Sequence, residues 1–400
     1  MIAKKDKKDC CGCSACVQKC PKQCISLKED NEGFLYPEVD KLMCIDCGLC
    51  EKVCPFLYQE ESRKPIKVYA AKNKNEEICR QSSSGGIFTL LAEQIIHEGG
   101  VVFGARFDED WLVKHDYTDT VEGLAAFRGS KYVQSRIEDN YKKAETFLKQ
   151  GRKVLFSGTP CQIVGLKRFL QKEYENLLTV DFVCHGVPSP KIWKQYLKET
   201  VIQMCNKNSV STDPISKRKA HVESISFRDK SFGWKKYSFS LTLSTTTSSG
   251  TRNTISHCEV FPKNTFMKGF LADIYLRPSC YHCMTRKGKS GSDIILGDFW
   301  GIDQIDSECD YKMGCSLVFL NTQKSIHFCN NEYIYKKEQT YMNAIQYNPS
   351  IIKNPDFPMT RNYFFFVNRY LGNIQQTLDK VNSMNPINRM LRFLYNKIIN

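Results

Sequence analysis

Four hundred residues, 42% hydrophobic and 25% charged, describe an ordinary folded chain of two or three domains and exclude a disordered tail or a disulfide-stapled miniature. The formal charge is +14, and 20 residues are cysteine. No run approaches the roughly 18 apolar residues of a spanning helix. Met1-Ile2-Ala3-Lys4-Lys5 leads into no apolar signal stretch, so no transmembrane segment is expected and the cysteines read as metal ligands in a reducing cytoplasm.

Ten of the 20 cysteines fall within the first 54 residues. Cys10, Cys13, Cys16 and Cys20 precede Pro21, and Cys44, Cys47, Cys50 and Cys54 precede Pro55. Each run is C-x2-C-x2-C-x3-C-P, the spacing of two-cluster bacterial ferredoxins. Steps of three let three thiolates converge on one 4Fe–4S cube. The fourth cysteine, starting a helix behind the proline, points to the other cube. The expected ligand sets are Cys10, Cys13, Cys16 and Cys54, and Cys44, Cys47, Cys50 and Cys20. Cys11 breaks the register and Cys24 stands a helical turn past Cys20, so neither is expected to be a ligand. Zinc ribbons also use C-x2-C pairs, but zinc gives no reason for the third cysteine or for the repeated Cys-Pro.

Residues 59–67 form a charged linker with one proline. Val68-Tyr69-Ala70-Ala71 then reads as a strand. Ser82-Ser83-Ser84-Gly85-Gly86 leads into a helix whose apolar face is Ile87, Leu90, Leu91 and Ile95, and Val101–Ala105 is the next strand. The five small residues suit either an ordinary serine cap or an anion site at the helix start. Phe127-Arg128-Gly129-Ser130-Lys131-Tyr132 is a second small-residue turn, whose two cations suit a pyrophosphate or plain solvation.

Residues 153–161 read as a buried strand entering a Gly/Pro turn at Cys161. Helical spacing follows from Ile163 to Leu170, and a second strand from Leu178 ends at Cys184. Strand, helix, strand implies a right-handed crossover with parallel pairing. Cys161 and Cys184 then emerge at the carboxyl edge of one sheet, where open α/β sheets bind ligands. Cys280-Tyr281-His282-Cys283 completes a possible four-thiolate site for a third 4Fe–4S cluster, although each cysteine alone is equally a small buried hydrophobe. Cys79, Cys205, Cys258, Cys309, Cys315 and Cys329 have no pairing logic.

Residues 206–221 read as a mobile polar loop. Tyr237, Phe239, Leu241 and Leu243 alternate as a half-buried strand before a turn at Thr245–Asn253. Ile294–Gly301 is a strand ending in Gly297-Asp298, followed by Phe299 and Trp300, which suit stacking on a planar cofactor or core packing. The last sixty residues look helical, with Arg361, Arg369, Arg389 and Arg392 among aromatics. That pattern suits an amphipathic surface helix or a docking face for an anionic partner.

Six motifs, in order, carry a family resemblance: Ser83-Ser84-Gly85-Gly86, Phe127–Tyr132, Ser157–Gln162, Cys184-His185-Gly186-Val187-Pro188, Arg277–Cys283 and Leu296–Gly301. Over roughly residues 1 to 335 the chain resembles the beta subunit of the coenzyme F-420 (deazaflavin) hydrogenase/dehydrogenase family. It is also similar to bacterial homologues associated with polysaccharide synthesis. The resemblance implies a bound FAD with a 4Fe–4S cluster beside it. FAD would be held by Ser83, Ser84, Gly85, Gly86, Gly129, Ser130, Lys131, Tyr132, Gly158, Thr159 and Asp298, and the cluster by Cys161, Cys184, Cys280 and Cys283. Met284–Ser292 departs from the family in having no clear hydride-acceptor signature.

The expected fold is α/β and α+β. A two-cluster ferredoxin-like domain (1–58) and the linker (59–67) precede an α/β flavin core with a partly parallel sheet (68–150 and 151–340) and a basic helical segment (341–400). The expected function is an iron–sulfur flavoprotein oxidoreductase relaying single electrons to FAD, for hydride exchange with a small substrate or a deazaflavin-type coenzyme. His185, next to a proposed ligand, is either a proton donor or a histidine hydrogen-bonded beside the cluster. The alternative is a non-catalytic electron-transfer subunit docking to a larger oxidoreductase. A redox partner protein, ferredoxin or an oxidoreductase subunit, is expected in either case. Basic residues form no aromatic-interleaved stripe, so nucleic acid is not expected. Three cubes at about −2 each and an FAD pyrophosphate would bring +14 to roughly +6.

Overall fold

The structure, a computed structural model, describes residues 2, 6–58, 60–208, 220–246, 252–306, 311–329 and 331–383. The chain divides into two compact units. One comprises the residues up to Gly186 together with Arg277–Pro355, the other Val187–Leu276 with the chain from Asp356.

The first unit opens on the two cysteine loops. Helices α1 (Ala15–Lys19) and α2 (Leu49–Lys52) follow them, and β1 (Ile25–Glu29) pairs antiparallel with β2 (Leu35–Val39). Both loops reverse in the same way: φ is 70° at Gly12 and 64° at Ser14, and 50° at Asp46 and 72° at Gly48. The duplicated spacing is thus a duplicated backbone. The helix expected behind each proline is reduced to a turn after Cys20 and a 3-10 turn, Pro55–Leu57, after Cys54. Both cysteines are extended (φ −69°, ψ 115° and φ −76°, ψ 120°), because a residue before proline is pushed out of the helical region.

The chain continues through β3 (Lys67–Asn73), α3 (Glu76–Gln81), α4 (Ile87–His97), β4 (Val101–Phe107), β5 (Val113–Thr118), α5 (Asn140–Lys149), β6 (Val154–Gly158), α6 (Pro160–Leu170) and β7 (Leu177–Phe182). The second unit contributes α7 (Pro190–Lys207), β8 (Ala220–Asp229), β9 (Ser238–Thr246), β10 (Arg252–Val260) and α8 (Thr265–Leu271). Strands β11 (Ile294–Asp298), β12 (Ser316–Leu320) and β13 (Ile334–Glu338) return to the first. Eight strands form one mixed sheet in the order β13-β3-β12-β11-β7-β6-β4-β5. Its centre, β4, β6, β7 and β11, is parallel, and its flanks are antiparallel.

Central parallel strands are covered on both faces and therefore read as continuous apolar runs. Val154, Leu155 and Phe156 are all fully buried. Ile87, Leu91 and Ile95 of α4 pack on one face with Leu155, Leu178 and Val180. Residues of α5 and α6 pack on the other, where Cys11, Cys13, Ala15 and Val53 join them. Helix α6 starts three residues earlier than its apolar spacing suggests. Thr159 and Gln162 form a capping box and Pro160 takes the first helical position, which puts Cys161 in the first turn. Phe299 is fully buried, which settles its packing role.

In the second unit β9 lies between β8 and β10, with Phe239, Leu241 and Leu243 fully buried. The strands run further into the Thr245–Asn253 turn than expected, and residues 247–251 lie outside the described residues. So do 209–219 of the expected loop, whose ends are helical to Lys207 and strand from Ala220. Arg361, at the start of helix Arg361–Leu371, is not a surface cation. It is 2% exposed, donates to the carbonyl of Leu276 and lies over Phe357 and Phe365. Arg369 is exposed, and Arg389 and Arg392 lie outside the described residues. No helix among the described residues is long and apolar enough to cross a membrane.

Candidate metal centres

Cys10, Cys13, Cys16 and Cys54 line one cavity, about 360 Å³ of space counting the part open to solvent, with Gly12, Ser14 and Phe56. Cys20, Cys44, Cys47 and Cys50 line another of about 340 Å³. Each run therefore shares its first three thiols with the fourth of the other run. Cys11 lines the first cavity and Cys24 the second, the latter with its Sγ 3.4 Å from that of Cys20. Among the described residues no three His, Cys, Asp or Glu groups are drawn closely enough together to hold a single metal ion; the quartets stand around cavities.

The donor chemistry fits a cube. Burial, with Cys10 and Cys54 nearby, pushes the Cys16 thiol up to about 12. Crowded thiols without a counter-charge resist ionisation, and bound irons remove that resistance by ligating the thiolates. The Ile2 amide donates to Cys50 Sγ at 3.2 Å, the kind of N–H···S contact that tunes cluster potentials.

The third quartet is assembled from three places. Cys161 is in the first turn of α6, Cys184 lies just past β7, and Cys280 and Cys283 lie in and just after the 3-10 turn Pro278–His282. All four are half-buried. Burial pushes the Cys184 thiol up; Arg286 opposes it, while Cys280, Cys161 and Cys283 add to it, so the four groups share one electrostatic site. Thr159 and Thr285 hydroxyls stand 3.2 Å from Cys161 Sγ and Cys283 Sγ, placed to donate to thiolates. Arg286 donates to the carbonyls of Cys184, Ser350 and, at 2.9 Å, His185, which fixes the half-buried His185 through its backbone.

Helix α6 forms the seam between the first and third quartets. The Cys11 thiol interacts with Cys13 on one side and Cys161 on the other. One turn further, a Cβ at Gly165 would lie 2.9 Å from both Cys13 Cβ and Tyr141 Oη, so only glycine admits the cysteine loop at this distance. Sequence reasoning set Cys11 aside; the available signal was a doubled Cys10-Cys11 in a register that needs only one.

The other candidate residues collect along the carboxyl edge of the parallel strands. Ser83 Oγ accepts from the Ser130 amide and hydroxyl at 2.6 and 2.8 Å, joining the two small-residue turns. Ser84 Oγ donates to Cys315 O at 2.7 Å, and the Gly85 amide donates to Ser316 Oγ at 2.9 Å. Gly86, rather than a serine, caps α4. Gly158 ends β6, Thr159 caps α6 and Asp298 ends β11. Gly129 and Tyr132 flank Lys131, whose Nζ donates to the carbonyls of Arg128 and Gly129 at 3.1 Å. Burial, with Arg106 adding to it, pulls Lys131 down to about 7.

Two buried groups at this edge went unread. His115 on β5 is 1% exposed, with Nε2 3.0 Å from Ser157 O and no partner on Nδ1. Burial pulls it down to about 4. Asp181 on β7, opposite Gly158 in register, is 1% exposed with no hydrogen bond to either oxygen, and burial pushes it up to about 7.

Three stretches of the chain match known families. Residues 151–366 match the C-terminal part of the family described as coenzyme F420 hydrogenase/dehydrogenase, beta subunit, and residues 68–139 match its N-terminal part. Residues 9–57 match the 4Fe-4S dicluster domain. An uncharacterized protein of Methanocaldococcus jannaschii is 24% identical over 205 residues, 43% of this chain and 56% of that protein, so the chain spans little more than half of that relative. A 7Fe ferredoxin of Hydrogenibacillus schlegelii is 40% identical over 65 residues, 16% of this chain and 77% of that one. A chain of the F420-reducing NiFe hydrogenase complex from Methanosarcina barkeri aligns with a TM-score of 0.43 at 19% identity, over 82% of this chain and 97% of that chain.

Proposed function

This chain belongs to the coenzyme F420 hydrogenase/dehydrogenase beta subunit family, and from that premise we propose that it is an iron–sulfur flavoprotein oxidoreductase. In this reading it relays single electrons to FAD for hydride exchange with a small substrate or a deazaflavin-type coenzyme. When bound, 4Fe–4S cubes supply one-electron steps, and FAD supplies the junction to hydride chemistry. The observation that carries the reading is Cys11 between Cys13 and Cys161, which sets the ferredoxin-type segment against the third quartet.

The residues have distinct tasks. The two N-terminal quartets hold one cube each, and Cys161, Cys184, Cys280 and Cys283 hold the third. The turns at Ser83–Gly86 and Gly129–Tyr132, with Gly158, Thr159 and Asp298, hold the flavin. A pyrophosphate beside Lys131 would restore the charge that burial takes from it. His185 would supply a proton at the substrate. We also propose the division at residues 59–67 and a cytoplasmic location, where such thiols stay reduced. The test is anaerobic purification with iron, acid-labile sulfide and flavin quantified together. About twelve irons and one flavin per chain are expected, at four irons per cube. Eight irons without flavin would reject the reading.

One observation favours the second reading, an electron-transfer subunit without its own substrate. Leu42 (98% exposed), Met43 and Ile45 stand in solvent around the second quartet, whose Cys47 is itself exposed. Such an apolar collar suits docking of a redox protein. This reading requires that the isolated chain reduce only artificial dyes, and turnover with a nicotinamide or deazaflavin in the absence of a partner rejects it.

A further inference from the structure

Arg277 is 1% exposed, yet the ion pairs among the described residues do not include it. A guanidinium taken out of water costs several kcal/mol unless opposite charge and hydrogen bonds compensate. Its hydrogen bonds are good but neutral: Nε to Cys10 O at 2.7 Å, Nη1 to Gln134 Oε1 at 2.9 Å and Nη2 to Leu35 O at 2.8 Å. Its Cζ lies 4.3 Å from the Tyr36 ring centroid and 5.4 Å from that of Phe34. The remaining contact is Nη2 to Cys10 Sγ at 3.6 Å. Space has been cleared for this arrangement, since a Cβ at Gly12 would lie 2.9 Å from both Arg277 Nη1 and Gln134 Nε2.

The position of Arg277 is as informative as its contacts. Its own carbonyl accepts the Cys280 amide at 2.8 Å, at the start of the loop that carries two cysteines of the third quartet. Gln134 extends the link, its Nε2 donating to Cys11 O at 2.9 Å. A buried cation thus joins the first quartet to the third. Among the described residues the second quartet has no counterpart. Cys44 is equivalent to Cys10 in the duplicated run, and no side-chain cation is hydrogen-bonded to a sulfur of that quartet among the described residues.

We propose that Arg277 is a positioning residue that makes the first quartet's cube the easier of the two ferredoxin-type cubes to reduce, directing electrons from the exposed second quartet towards the third. The inference rests on the proposed loading of these quartets with 4Fe–4S cubes. Reduction adds one negative charge to a cube, and both an N–H donor at sulfur and a nearby fixed cation stabilise that charge. The step is a one-electron exchange in which the second cube is oxidised, the first is reduced and no bond changes. Arg277 biases its equilibrium without touching substrate.

The test is an anaerobic redox titration of the full iron-loaded chain, followed by electron paramagnetic resonance. Cys47→Ser, which alters only the second quartet, assigns the signals. In the unaltered chain the first cube should hold the electron at least tenfold in preference to the second. In Arg277→Gln that preference should fall at least tenfold, about 59 mV for a one-electron couple. The potential of the second cube should stay put, and Arg277→Lys should retain most of the preference. A merely structural arginine would lower iron content without moving the potential of the cube that remains. Equal potentials in the unaltered chain overturn the proposal without recourse to any Arg277 variant. Unmoved potentials in an iron-replete Arg277→Gln overturn it as well. An unaltered chain lacking the first cube altogether would instead overturn the loading on which the inference rests.

Discussion

Asp181→Asn separates burial from charge at a single position. The carboxyl is 1% exposed, and neither oxygen has a hydrogen-bond partner. Ser290 and Ser292 are near, and Ser290 Oγ donates to Ser292 Oγ at 3.3 Å. Burial, which Ser290 and Ser292 only soften, raises the pKa from 3.8 to about 7. A folded-state pKa above the unfolded one means that the folded chain holds the proton more tightly. The associated stability is complete below pH 3.8 and is lost as the pH rises through 7. A gap of about three pH units, at about 1.36 kcal/mol each, sets a ceiling near ~4 kcal/mol. Of this, roughly 1.5 kcal/mol is lost by pH 5 and nearly all by pH 8. Asparagine keeps the size and does not titrate. The variant should therefore gain about 2–3 kcal/mol on the parent between pH 5 and pH 8, read as diverging urea midpoints of the iron-loaded chain under anaerobic conditions. A difference between the two proteins that stays flat over this range would refute an unpaired, desolvated carboxyl. A variant that weakens at pH 8 would show that the carboxylate has a partner.

Cys280→Ala should lower iron by about four per chain. Cys79→Ala should leave iron unchanged, because the Cys79 thiol donates to the carbonyls of Asn73 and Gly85 and faces no quartet. Lys131→Met should lower flavin per chain at constant iron, as measured by absorbance after acid release. Gly165→Ala gains about 1 kcal/mol of helix propensity but forces a Cβ against Cys13 and Tyr141, which costs about 1–3 kcal/mol. With two neighbours at 2.9 Å the cost should prevail, so the thermal midpoint should drop by a few degrees, and a rise would show that the seam is loose.

The cysteine runs were legible because three of four thiols in each quartet sit at fixed steps on one loop, and that local geometry is written in the spacing. The parallel core was legible for a similar reason: Val154-Leu155-Phe156 and Leu177-Leu178-Thr179-Val180, apolar but for Thr179, lie on either side of a helix. Where the reading slipped, a local rule had been overridden by its neighbour. The apolar period of α6 begins at Ile163, but Thr159 and Pro160 start the helix earlier and place Cys161 on it. The Cys-Pro pairs suggested helices, while the restriction on residues before proline cut them to turns. Arg361 looked like a surface cation because charge suggests exposure, and only the packing of its helix shows it donating to a carbonyl in the interior. His115 and Asp181 were illegible for a deeper reason. Nothing in Val113-Lys114-His115-Asp116 distinguishes a solvated histidine from one with an orphaned nitrogen. That difference is made by Ser157 and Phe156, some forty residues away.

The basic surplus does not by itself balance the cubes. If three cubes contribute about −6 in total, the charge has to be balanced locally, because burial weakens the screening that solvent would provide. Among the described residues two guanidiniums meet the quartets directly: Arg277 at the first, and Arg286 on the Cys184 carbonyl at the third. Together they offset at most a third of that charge. Other lysines and arginines are spent away from the quartets: Lys28, Lys67, Arg80 and Lys153 pair with carboxylates while still partly in solvent and add nothing to the net +14. Net charge therefore says little about how the quartets differ. The difference has to come from local surroundings: a buried arginine at the first, half-burial with threonine donors at the third, and solvent with exposed Leu42, Met43 and Ile45 at the second. Three sites with the same donors but unequal surroundings should have unequal potentials. A protein that passes electrons in one direction needs that inequality.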